Sequence, residues 1–223
     1  MLDKDITFYM LGIIHRNSHC ENILLEYLEK KRPDIITLEL SNYGLAFRER
    51  MGNFYKKRLE ENIKKIGVDK KALLNRHIKD MVAFVSIPYE YKAAQAYIKR
   101  HGGAIYLIDL DIFSLIKLKE TDSLFDIDNI RSLLNLDDKD EKAASAKTLA
   151  RLYFEKGIMA FQYTEEMRIR DIHMRDRILL LTRYHKERRF LHICGWQHLC
   201  DPYNIYEPLN PIKVFIYDQA LCV

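Results

Sequence analysis

Five short runs rich in β-branched and aromatic residues lie along this 223-residue chain, spaced by long amphipathic stretches. That alternation predicts an α/β domain whose central, mostly parallel sheet is flanked by helices. Strands are expected over residues 6–14, 34–40, 104–110, 190–195 and 213–217, with Pro33, the Gly102-Gly103 pair and Pro211 punctuating three of the entries. Helices are expected over 21–31, 45–66, 70–84, 89–100 and 165–189, with breaks at Gly67 and Pro88. Residues 123–189 hold no convincing strand and read as a helical excursion before the fourth strand of a single domain spanning 1–223. Within it, Asp137, Asp138, Asp140 and Glu141 sit where a helix N-terminus favours negative charge.

Composition narrows the partners. Hydrophobic residues at 48% and charged residues at 30% suffice for a core and exclude a disordered chain. The 36 Lys and Arg against 32 Asp and Glu leave +4, too small an excess for a nucleic-acid surface. No window approaches the roughly 18 apolar residues of a membrane span. Cys20, Cys194, Cys200 and Cys222 form no CxxC pair, so a reducing, cytoplasmic setting is expected. Oligomeric state leaves no mark on the sequence.

The chemistry is positional. The first predicted strand runs into Gly12-Ile13-Ile14-His15, the second into Glu39, the third into Asp109 and Asp111, and the fourth into Gly195-Trp196-Gln197-His198. In open parallel sheets the ligand crevice lies outside the C-terminal strand ends, so His15, Glu39, His198 and the two aspartates are expected to meet at one edge. Two imidazoles and a carboxylate form a three-ligand set that leaves a metal position open for water. The glycine before each histidine is expected to permit a sharp exit from the strand. His19, Cys20 and Cys200 lie close enough in sequence to join, although packed thiols are the simpler reading of both cysteines.

On the helix over 165–189, Met167, Arg170, Met174, Arg177, Ile178 and Leu181 share an arc at 100° per residue, which turns Arg170 inward. An inward guanidinium needs an anion: Glu39, another acid, a substrate carboxylate or a developing oxyanion. Snorkelling to the rim is the plainer alternative. The other charges of this helix, Asp171 among them, read as a mixed, solvated face. Glu90, opening the helix after Pro88, suits a helix N-terminus. Tyr89, Tyr91 and Trp196 line a pocket or fill the core.

Those pieces, in order, resemble the TraB/PrgY/Tiki superfamily, distantly related to erythromycin esterases and to ChaN-like haem-binding proteins. The resemblance spans most of the chain. It rests on Leu11-Gly12-Ile13-Ile14-His15, on the run from Arg32 through Glu39 to Leu40, and on Glu90 with its helix. Leu107-Ile108-Asp109-Leu110-Asp111-Ile112, Arg170-Asp171-Ile172-His173-Met174 and Cys194-Gly195-Trp196-Gln197-His198-Leu199 complete it. Ile13, Leu110 and Ile169 depart from the usual letters, and the last motif lacks a second Gly before its His.

The resemblance implies a metal-dependent, peptidase-like hydrolase of an amide or ester bond, with His15, His198 and Glu39 holding a divalent ion such as Mn, Co or Zn. Glu39 or Glu90 would serve as base and Arg170 as oxyanion stabiliser; a peptide or small molecule would be the substrate. The erythromycin esterases suggest a metal-free variant in which one histidine is the base. The ChaN-like relatives suggest haem or another small ligand bound in the same crevice without turnover. A regulatory protein with a decayed site is a third reading.

Overall fold

The computed structural model describes residues 7–16, 20–136, 146–186, 188–217 and 220–222. In chain order they form β1 (Phe8–Ile13), α1 (Glu21–Lys31), β2 (Ile35–Leu38), α2 (Asn42–Ile66), α3 (Arg76–Val85), α4 (Tyr89–His101) and β3 (Ala104–Leu107). Then follow α5 (Asp111–Lys119), α6 (Thr121–Leu124), α7 (Ile127–Leu134), α8 (Ala146–Lys156), α9 (Glu165–Tyr184), β4 (Phe190–Gly195), β5 (Ile212–Tyr217) and β6 (Ala220–Cys222). The described residues fall into two compact units, one within Met1–Leu40, Tyr89–Leu110 and Ser145–Val223, the other within Ser41–Pro88 and Asp111–Ala144. The chain therefore leaves the first unit one residue after Glu39 and again one residue after Asp109.

The first unit carries the sheet, in the order β3-β2-β4-β1-β5-β6. β1 to β5 run parallel, as the alternation of strands and helices requires, while β6, which sequence reading did not foresee, pairs antiparallel with β5. The two central strands, β1 and β4, are buried on both faces, as expected of a sheet covered on both sides, with His192 the one polar side chain of β4. One face packs Phe8, Met10, Phe190 and Cys194 with Met174, Ile178 and Leu181 of α9 and Ala150 of α8. The alternate residues, including Leu11, Ile13, Leu191 and Ile193, are buried on the opposite face. The second helical layer is built from α1 and α4, which pack on each other.

The second unit is helical, with its own core of Tyr55, Leu59 and Ile63 from α2, Ile78, Met81 and Val85 from α3, and Phe125 and Ile130 around α7. α2 begins earlier than the periodicity suggests because the Ser41 hydroxyl accepts the Gly44 N–H at 2.9 Å and caps it. The helix expected over 70–84 divides at Asn75, whose side chain accepts the His77 and Ile78 N–H groups and starts α3 afresh after a 3-10 turn over Lys70–Leu74.

Element ends differ where backbone pairing wins over pattern. α9 stops at Tyr184 rather than at 189, because the Arg189 carbonyl already accepts the Asp34 and Ile35 N–H groups beside β2. β2 and β3 close at Leu38 and Leu107, so Glu39 and Asp109 stand just past their strands rather than inside them. Over 123–189 the described residues hold helices and no strand. Ile6, His19 and the acidic cluster of Asp137 to Glu141 lie outside the described residues. No described helix is long and apolar enough to cross a membrane.

Candidate functional site

The spatial order of four adjacent strands places the chemistry. Reading across β3-β2-β4-β1, the segments beyond their C-terminal ends carry Asp109, Glu39, His198 and His15 in turn. Glu39 lies at the centre with only 5% of its side chain exposed. Its Oε1 accepts from Arg170 Nη2 at 2.5 Å and stands 3.1 Å from His198 Nε2. Its Oε2 accepts the Gly195 N–H at 2.6 Å and stands 3.4 Å from His15 Nε2.

Each ring is held from behind by a second acid. His15 Nδ1 donates to Glu90 Oε1 at 2.9 Å, and His198 Nδ1 donates to Asp171 Oδ1 at 2.5 Å. Arg170 in turn places Nε and Nη2 on the two oxygens of Asp109 at 2.9 and 2.8 Å. The inward reading of Arg170 therefore holds and its anions are identified. With both Nη2 hydrogens and Nε–H engaged, only Nη1 remains, 3.8 Å from Glu166. An oxyanion role would fall to that one group.

The two glycines serve a purpose other than a sharp strand exit. Gly195 has an ordinary φ of −58°. A Cβ there would lie 2.8 Å from His15 Nε2 and 3.4 Å from Glu39 Oε2. One at Gly12 would lie 2.9 Å from the Trp196 Cα and 2.8 Å from the Leu199 Cγ. β1 and β4 are neighbours with Ile13 beside Gly195 and Gly12 beside Cys194. Each glycine thus makes room for the arm of the other motif: Gly12 for the 3-10 turn Trp196–Leu199 that carries His198, and Gly195 for the ring of His15.

Electrostatically the cluster favours positive charge, because four buried acids, Glu39 and Asp109 on the Arg170 guanidinium and Glu90 and Asp171 on the rings, share a single guanidinium. Burial opposes a charge on His15, yet Glu39 and Glu90 outweigh it and push its pKa up to about 10, even with 40% of its side chain exposed. Burial likewise opposes a charge on His198, while Glu39 and Asp171 push it up to about 9. Against its own desolvation, Glu39 is held well below the usual carboxylate range by His198, Arg170 and His15. Both rings are thereby favoured in their protonated form beside the acids.

Among the described residues no three His, Cys, Asp or Glu side chains are poised to hold a metal ion as they stand. In the nearest set the two rings stand against Glu39 at ion-pair distance. The chemistry of that set nevertheless suits a divalent cation. Two Nε2 atoms and a carboxylate face one another at 3.1 and 3.4 Å, separations open to a shared proton and to a shared ion about 2.1 Å from each ligand. A divalent ion would replace the two ring protons without changing the charge of the cluster.

Asp171 is the residue of the cluster that sequence reading misplaced: it is fully buried rather than on a solvated face. It takes three donors, His198 Nδ1 and the Tyr206 hydroxyl at 2.8 Å on Oδ1 and the Tyr163 hydroxyl on Oδ2. Four residues beyond Met167 and three before Met174, it falls on the inward arc, so the periodicity held the signal. Arg177, assigned to that arc, is exposed. Asp111 belongs to the second unit, where it accepts the Tyr43 N–H at 2.8 Å. Cys20 is buried at the start of α1, and Cys200 is partly buried. Trp196 is core packing against Phe154, Phe161 and Phe215, Tyr91 is half-buried, and the buried Tyr89 hydroxyl donates to the Ile14 carbonyl.

Beneath the site, His192 is fully buried, its Nδ1 3.0 Å from the Thr37 hydroxyl and its Nε2 without a partner among the described residues. Comparison with protein-family models, with curated proteins and with solved structures gives no match.

Two predictions follow from this geometry. Gly12→Ala meets the Leu199 side chain and the Trp196 backbone and is expected to cost about 1–3 kcal/mol of stability measured by urea unfolding. Gly195→Ala meets mainly the half-exposed ring of His15, so it is expected to cost little stability while lowering the His15 pKa read by NMR titration, since the ring leaves Glu39. The second concerns His192, whose burial pulls its pKa down to about 4. The unfolded chain takes that proton near 6.5 and the native state does not, so stability falls as pH drops from about 6.5 toward 4. Relative to His192→Gln, the wild-type protein is expected to lose on the order of 2 kcal/mol between about pH 7 and pH 5. Parallel stability curves for the two proteins would show that the ring is not held neutral.

Proposed function

We propose that this chain hydrolyses an amide or ester bond at the C-terminal edge of its sheet, with a divalent metal ion held by His15 Nε2, His198 Nε2 and Glu39. The observation that carries this reading is the convergence of the two ring nitrogens, from opposite ends of the chain, on the two oxygens of one buried carboxylate. The resemblance to the TraB/PrgY/Tiki superfamily supports it through the same residues. Bound there, such an ion would lower the pKa of water toward about 7 and polarise a carbonyl.

The protein's own residues divide the remaining work. Glu90 fixes the His15 ring through Nδ1, so that Nε2 faces Glu39. Arg170, itself locked by Asp109, and the Gly195 N–H hold both oxygens of Glu39, which leaves that acid a poor proton acceptor. Glu90 keeps Oε2 without a hydrogen-bond partner among the described residues. Of the two acids considered as base, Glu90 is the one with an acceptor to spare. His15 is the exposed edge of the cluster, and a substrate carbonyl would approach over it.

The raised ring pKa values weigh against a metal-free mechanism at neutral pH. A protonated imidazole cannot take a proton from water, so that variant requires an alkaline optimum.

Protein purified without a His-tag or chelator, then titrated with Mn, Co or Zn, tests the reading. Saturation at about 100 times Kd stabilises a native state by about 2.7 kcal/mol, a melting shift of roughly 5–10 °C for a chain of this size. We expect such a shift with at least one of these ions, together with ester or peptide hydrolysis that needs it. His15→Ala, His198→Ala and Glu39→Gln are expected to abolish both. A wild-type protein holding no metal and unmoved by all three ions would remove the metal; hydrolysis persisting only at alkaline pH would then identify the histidine-base variant. A Soret band on haem titration, absent in His15→Ala, would favour ligand binding instead.

A further inference from the structure

We infer that Asp171 is a positioning residue for His198: with Tyr163 and Tyr206 it forms a buried bracket that keeps the proton on Nδ1 and points Nε2 at Glu39. The inference rests on the proposed metal-dependent reading for its consequence, but its geometry stands alone.

The two histidines of the cluster are supported unequally. His15 is 40% exposed, and one oxygen of its partner Glu90 has no hydrogen-bond partner among the described residues. His198 is 3% exposed, and its partner Asp171 is 0% exposed with both oxygens engaged. A carboxylate removed from water keeps its charge only if donors replace the lost hydration. Here the ring supplies one donor and two tyrosine hydroxyls supply the others. Neither tyrosine hydroxyl has to serve the ring directly. Both act on the acid, fixing the direction of its Oδ1 lone pairs and hence the plane of the imidazole.

The supports reach Asp171 from both sides in sequence. Tyr163 precedes α9, immediately before the Thr164 cap whose hydroxyl accepts the Met167 N–H. Tyr206 lies between β4 and β5 in a loop tied down by Asp201, whose carboxylate accepts the Ile205 and Tyr206 N–H groups at 2.7 and 3.0 Å. The helix adds a further coupling: Arg170 and Asp171 are successive residues, one holding Glu39 and the other holding the ring that faces Glu39. A small rotation of α9 would move both.

A bracket of this kind around a metal-ligating histidine typically carries a 10–100-fold effect on metal affinity. The test uses the full chain, with zinc affinity measured by chelator competition and the His198 Nδ1–H followed by proton NMR. That proton, short-bonded to a buried acid, is expected as a far-downfield, exchange-protected signal in the wild-type protein with or without zinc. Asp171→Asn is expected to retain its fold by circular dichroism, lose that signal and bind zinc at least tenfold more weakly. If Asp171→Asn does not fold, the Tyr163→Phe, Tyr206→Phe double variant decides, since it leaves acid and ring in place; a weakened signal and an affinity loss in the same direction are expected. A folded variant with unchanged signal and unchanged affinity overturns the proposal. Should the wild-type protein bind no zinc, the metal reading fails by itself, and the Nδ1–H signal, present in wild type and absent in Asp171→Asn, still decides the role of Asp171.

Discussion

Everything at the strand ends is organised by the burial of one carboxylate. Taking the Glu39 side chain out of water costs several kcal/mol unless charge and hydrogen bonds replace its hydration. Four partners do so, and each comes from a different part of the first unit: Arg170 from α9, the Gly195 N–H from the end of β4, His15 from beyond β1 and His198 from the turn after β4. The partners are themselves anchored by acids, Asp109 on the guanidinium and Glu90 and Asp171 on the rings. Removing Glu39 would leave three cationic groups facing one another, whereas removing any one partner would leave the acid undercompensated. Such networks are worth more intact than the sum of their pairs.

That arrangement depends on strand order. With β4 inserted between β2 and β1, the loops after three adjacent strands share one small region, and the backbone there must come close. The glycines of the two GxxH segments permit that approach by lacking side chains rather than by adopting unusual dihedrals. Because each yields space to the other segment, the two motifs are a single packing unit split between residues 12–15 and 195–198. A spacing rule applied to either one alone misses this.

Much of this could be read in the sequence. The alternation of apolar runs and amphipathic stretches points to a parallel sheet, and the rule that ligands gather at C-terminal strand ends singles out His15, Glu39, Asp109 and His198. What escaped did so for definable reasons. β6 is three residues long and its pairing is purely a matter of backbone. The early end of α9 depends on Arg189 meeting Asp34, a contact 155 residues apart. Asp111 matched its neighbour Asp109 in type and position, yet the chain has already turned into α5 by then. Asp171 was lost because charge type was allowed to override an arc position it satisfied as well as Arg170 did.

The exposure gradient gives the cluster a direction. Asp171 is sealed at 0%, His198 and Glu39 are nearly so, and Arg170 and Asp109 have side chains exposed by 10% and 7%; only His15, at 40%, meets solvent substantially. The inner groups are therefore held by burial and by hydrogen bonds to one another, while His15 meets solvent and Glu90 keeps one oxygen without a hydrogen-bond partner among the described residues. A ligand reaching this cluster would meet charges already desolvated, the condition under which electrostatic stabilisation needs little reorganisation. The cost of assembling that array falls on folding, and the two aspartates and two tyrosines that do not face the entrance are where the fold meets it.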